Sequence, residues 1–204
     1  MRVAARAAIA LAFIASPVVA QDPRLTARLD KPTLVAVTAI VDSARAAKLP
    51  TAPLVDKALE GAAKGSDGST IVVAVRHLSR QMGSAKRVIG SSATADEIKA
   101  AATALAAGVS EHDLARLHSA SGKRSMTMPL AVLTDLIVRQ VPIATATSLV
   151  VQLAKSGVRD QEFAMFQRNV RADIDRGADP SVAATTRARG LVLRLTGPGN
   201  KPSE

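Results

Sequence analysis

Between residues 64 and 87 five Lys and Arg side chains stand against one acid, Asp67. At the helical advance per residue, Arg76, Arg80 and Arg87 fall within an arc of about 40°. Lys86 is their neighbour in the chain, and Lys123 with Arg124 adds a basic loop further on. Such a stripe can meet phosphates as point charges, which makes DNA, lipopolysaccharide and anionic headgroups its candidate polyanions. The plainer use of the same residues is a solvated helix face. Stacking on single-stranded bases is not available: after residue 20 the aromatics are Phe163 and Phe166, with no Tyr or Trp. The spacing of these two Phe places them with Val170 on one apolar face, as core anchors.

The histidines are His77, His112 and His118. His112 and His118 are six residues apart on one expected helix, not at the i, i+4 spacing of a metal-binding pair. Glu111 and Asp113 fall in the first turn of that helix, where acids complement the macrodipole. Ser119 and Ser121 lie near His118, but nothing in the chain supplies a third group to orient a base. The strained Gly-x-Ser-x-Gly turn of hydrolases is missing. The stretch Gly65–Thr70 precedes a helix whose free amides could hold a phosphate. It lacks the Gly-Lys-Ser/Thr ending of a phosphate loop, and Gly122-Lys123 is followed by Arg124. Cysteine is absent, which excludes thiol catalysis, Cys zinc sites and iron–sulfur clusters. No catalytic residue, metal ligand or cofactor is assigned. An enzyme would need a site assembled only in three dimensions, with His77 or His118 gathered beside an acid in a polar cleft.

The elements that carry these residues read as helices. The apolar mass is Ala, Val, Leu and Ile, and Ala has the highest helix propensity. Asp30 is placed to cap a helix reaching Lys48, with Pro32 in its first turn. Pro50 stops it and Thr51 is placed to cap the next. Lys64–Thr70 reads as a loop, and a longer helix follows through Ile71, Val75, Leu78 and Met82 to Gly90. Thr94 and Glu97 form a capping box, and Ser110 caps a helix that Val109 and Leu114 staple. Further helices are expected from Pro129 to Arg139, from Pro142 to Ser156, from Asp160 to Arg176, and from Pro180 to a stop at Gly190.

The junctions resemble one another. Lys48-Leu49-Pro50, Gly108-Val109-Ser110, Gln140-Val141-Pro142, Gly157-Val158-Arg159 and Gly177-Ala178-Asp179 each hold a terminator, an apolar residue and a helix opener. Five residues past the apolar one stands another: Leu54, Leu114, Ala146, Phe163 and Ala183. Short helices joined this way bury their faces on neighbours. The expectation is all-α, with eight or nine short helices in a compact bundle of helical hairpins. A short irregular repeat array is the second arrangement.

Arg2 and Arg6 followed by an apolar run to Ala20 have the anatomy of a secretory signal, with cleavage between Ala20 and Gln21. Its removal lowers the formal charge from +10 to +8. The expected organisation is a signal at 1–20, a flexible leader at 21–30, one helical domain at 31–190 and a flexible tail at 191–204. No transmembrane segment is expected after signal removal. The functional expectation is an exported protein, periplasmic or extracellular, that binds or scaffolds an unidentified protein. Polyanion binding through Arg76, Arg80, Lys86, Arg87, Lys123 and Arg124 is the alternative.

Overall fold

A computed structural model describes residues 22–196. Within them lie ten helices and no strand: α1 (Pro23–Thr26), α2 (Lys31–Ala46), α3 (Ala52–Ala63), α4 (Gly68–Ile89), α5 (Ala95–Ala106), α6 (Glu111–Ser121), α7 (Thr127–Val138), α8 (Ile143–Lys155), α9 (Asp160–Asp175) and α10 (Pro180–Thr196). The all-α expectation holds. The expected signal at 1–20, its cut at Ala20–Gln21 and the end of the tail lie outside the described residues.

Most helix starts follow from the local sequence. Asp30, Thr94 and Ser110 accept the N–H of the third residue on, from Thr33, Glu97 and Asp113. Each satisfies a backbone donor that the helix itself leaves free. Three starts differ from expectation, one of them α7, which begins at Thr127 rather than Pro129. Thr51 makes no capping bond, because its own backbone is already helical. The segment expected as a loop to Thr70 begins α4 at Gly68, since Asp67 accepts the Thr70 N–H at 2.9 Å. Gly68 is needed there: a Cβ would collide with Thr33 Oγ1 on α2.

The repeated junction has one physical form. A residue with positive φ ends the helix at Lys48, Gly65, Gly108, Gln140, Gly157 and Gly177. The next residue then donates its N–H back five residues, at 2.9–3.2 Å: Leu49 to Ala44, Ser66 to Gly61, Val109 to Ala104, Val141 to Leu136, Val158 to Leu153, Ala178 to Asp173. This is the Schellman arrangement, in which the left-handed residue lets the chain turn and satisfy carbonyls the helix leaves open. Val109, Val141 and Val158 are buried straight after the turn, and Leu54, Leu114, Ala146, Phe163 and Ala183 are buried in the helices that follow. Burying side chains of the size of Leu114 or Phe163 contributes about 1.5–3 kcal/mol each.

Turns this short bring helices onto their next-but-one neighbours. α2 packs on α4, α4 on α6, α6 on α8 and α8 on α10. In the other row α1 packs on α3, α5 on α7 and α7 on α9, while α3 and α5 are bridged by α4. Between the rows, α7 lies on α8 and α9 on α10. This is the packing of a short irregular helical array whose two rows share one core.

The ends depart from expectation. Residues 21–30 were expected to form an unanchored leader, yet α1 buries Leu25 and packs on α2 and α3. The helix expected to stop at Gly190 continues to Thr196, because Leu191 beyond it is buried. A Cβ at Gly190 would meet nothing within 4 Å. Two substitutions follow, both read from urea unfolding midpoints. Gly157→Ala, where φ is +77° in open space, lowers stability by about 1–2 kcal/mol. Gly190→Ala raises it by about 0.5–1 kcal/mol.

Candidate functional site

The six basic residues singled out in the sequence divide into three kinds. Arg76 and Arg80 are exposed on α4 and hold no hydrogen bond or ion pair within the described residues. Lys123 is likewise exposed and unpaired there. Arg87 donates to Ser84 Oγ at 2.8 Å and stands 3.7 Å from the Glu111 carboxylate. Lys86 and Arg124 are helix-end clamps. The Lys86 Nζ donates to the carbonyls of Ala47 at 2.8 Å and Lys48 at 3.0 Å, at the C-terminus of α2. The Arg124 guanidinium donates to Ala120 at 3.2 Å, Ser121 at 3.2 Å and Val158 at 3.3 Å, and also to Ala154. It ties the C-termini of α6 and α8 together. A cation there meets both open carbonyls and the negative end of the helix dipole. Lys86 lies about 80° off the Arg76 direction on the helix wheel, a signal that it faces a neighbour. Arg124 carries no such local signal, because its partners on α8 are thirty or more residues away.

The histidines do not come together. His77 and His112 are exposed on α4 and α6. His118 is half-buried and lines a polar pocket of about 290 Å³ with Ser92, Glu97 and Lys123. The acid there is engaged elsewhere. Glu97 Oε2 accepts from the Thr94 N–H at 3.0 Å and the Thr94 hydroxyl at 3.1 Å. Glu97 Oε1 accepts from the Met126 N–H at 3.0 Å. One carboxylate therefore staples the N-termini of α5 and α7. The capping box is legible in sequence; the bond to Met126, twenty-nine residues on, is not. Burial is the largest single influence on this carboxyl and opposes its charge. The donors from Thr94, Met126 and Ser125 outweigh it and hold the group below the usual glutamate range. Among the described residues no three His, Cys, Asp or Glu side chains gather as a metal ion requires.

A different surface has the shape of a binding site. Between α5, α7 and α9 runs a groove of about 550 Å³. Its α7 wall is Thr127, Ala131, Thr134 and Val138, one face at helical spacing, and its α5 wall includes Ala100 and Thr103. Val138 is 69% exposed, unusual for an aliphatic side chain in the middle of a folded array. Asp96 and Lys99 stand at its edge.

The two rows also differ in charge. The even-numbered helices carry eleven Lys and Arg against three Asp and Glu, and the odd-numbered helices five against nine. The groove lies wholly on the acidic row.

Glu97→Gln tests the staple. With its folded pKa below the unfolded one, Glu97 stabilises fully above the usual glutamate range, and that stability is lost as pH falls through the folded value. The expected outcome is a loss of about 1 kcal/mol at pH 7 that narrows in the acid range, measured by urea denaturation at several pH values. No protein-family model, curated protein or solved structure matches this chain.

Proposed function

We propose that this chain is an exported, non-enzymatic module that holds a segment of another protein in the groove between α5, α7 and α9. The observation that carries the reading is the groove itself: an open trough of about 550 Å³ walled by small and aliphatic side chains, on the row where acids outnumber bases. Helical arrays present such troughs as peptide-binding surfaces. Exposed Val138 and the methyl groups of Ala100 and Ala131 offer apolar contact, and Asp96 offers negative charge at the margin, Asp135 being paired with Arg139 at 3.2 Å. The complementary partner is an aliphatic segment flanked by Lys or Arg.

The engagements of nearby charged side chains support the same reading. Glu97, Lys86 and Arg124 hold helix ends, and the Glu97 carboxylate beside His118 accepts from Thr94 and Met126 instead. Export rests on the charged start, apolar run and small residue of positions 1–20. Within the described residues no helix is long and apolar enough to cross a membrane.

Two measurements test this. A random peptide library panned on the protein is expected to enrich aliphatic sequences carrying Lys or Arg. Ala131→Arg, which fills the groove and adds a positive charge to it, is expected to weaken their binding at least about tenfold. Enriched peptides indifferent to Ala131→Arg overturn the groove. For export, the mass of the protein recovered from a bacterial periplasm is expected to begin at Gln21. A chain that keeps Met1 and stays in the cytoplasm removes that part of the proposal.

A further inference from the structure

Next-but-one packing separates charge as well as helices, and the basic row has a composition of its own. α4, α8 and α10 contain no Asp or Glu. The three acids of the row each stand beside an arginine: Asp42 at 2.5 Å from Arg45, Asp113 at 2.9 Å from Arg116, Glu111 at 3.7 Å from Arg87. Lys31, Arg76, Arg80 and Arg189 are exposed and, within the described residues, without an ion pair or hydrogen bond. They are distributed over α2, α4 and α10, the length of the row.

Aliphatic side chains share this face. Of the seven large apolar residues left exposed among the described residues, five lie on even-numbered helices: Val35, Val73, Ile143, Val182 and Leu193. Four of them are more than 60% exposed. On α10, Val182, Arg189 and Leu193 fall within about 40° of one another. On α4, Val73 lies about 20° from Arg80. Each outer stripe therefore mixes a free cation with an aliphatic side chain.

We propose that the even-numbered row is a docking face for an anionic lipid surface. The row's cations meet headgroup phosphates, and its exposed Val and Leu side chains enter the boundary between headgroups and acyl chains. A nucleic acid duplex uses only half of this chemistry. Its phosphates are met by cations alone, and an exposed Val or Leu adds nothing to that contact. The proposal goes beyond the groove reading and does not depend on it, since the two surfaces lie on opposite rows. Together they would place a partner of the acidic row away from the lipid.

Sedimentation with vesicles tests it. The full chain is mixed with phosphatidylcholine vesicles with and without phosphatidylglycerol, beside two variants, Arg76→Glu/Arg80→Glu and Val182→Ser/Leu193→Ser. The four substituted side chains are exposed, as are Arg189 and Val73; each variant is first shown to melt as the parent does, with Arg189→Glu replacing the charge pair, or Val73→Ser the aliphatic pair, where one does not. The apolar segment at 1–20 is common to all, so differences report the face. The expected result is binding that requires phosphatidylglycerol, weakens at least about tenfold on charge reversal, and fades at about 0.5 M salt. The serine variant is expected to lose lipid binding several-fold while leaving any binding to duplex DNA unchanged. Failure to bind phosphatidylglycerol vesicles, or variants that bind as the parent does, overturns the proposal. Tighter binding to duplex DNA, with lipid binding indifferent to the serine pair, assigns the face to nucleic acid instead.

Discussion

The left-handed residue at the end of six helices is the constraint on which the architecture rests. It turns the chain within four or five residues, and at five of the six an apolar residue follows at once, ahead of the next helix. Four of the six positions are glycine. The other two are Lys48 and Gln140, where a side chain bears the backbone cost of positive φ. Both are followed two residues later by proline, Pro50 and Pro142, whereas none of the four glycines is. Proline cannot continue a helix and keeps the residue before it extended, so it can stand in for glycine as the terminator. The repeat is thus conserved within the chain as a geometry rather than as a residue.

Charge completes what the turns begin. Lys86 closes the end of α2 and Arg124 the ends of α6 and α8, while Glu97 closes the starts of α5 and α7. Cations sit at helix C-termini and the anion at N-termini, as the macrodipole favours. Side chains used this way fix one helix against another and are withdrawn from chemistry. What remains free is weighted by row: most of the basic residues and five of the seven exposed large apolar residues on one, most of the acids and an apolar trough on the other.

How far the sequence could be read depended on the range of each interaction. Caps at Asp30, Thr94 and Ser110 join residues three apart and were legible as local patterns. So were the apolar positions after each junction, because helix period and burial coincide there. Leu25 was not, because four helical residues are too few to show a period. Gly190 misled for the opposite reason. Glycine weakens a helix by only about 1 kcal/mol, and burial of Leu191 is enough to carry the helix past it. Roles set by distant partners, such as Arg124 on Ala154 or Glu97 on Met126, left no mark in the chain near those residues.

Packing on the second neighbour has a kinetic side. Almost every helix finds its main contacts within two elements along the chain, and few contacts join its distant parts. Low separation between contacting residues lowers the loop-closure entropy of the folding barrier and favours fast folding. A chain emerging N-terminus first can lay down α2, α3 and α4 as a base and add each later helix to a surface already formed. With no cysteine in the chain, disulfide formation is not among the steps that could delay the addition.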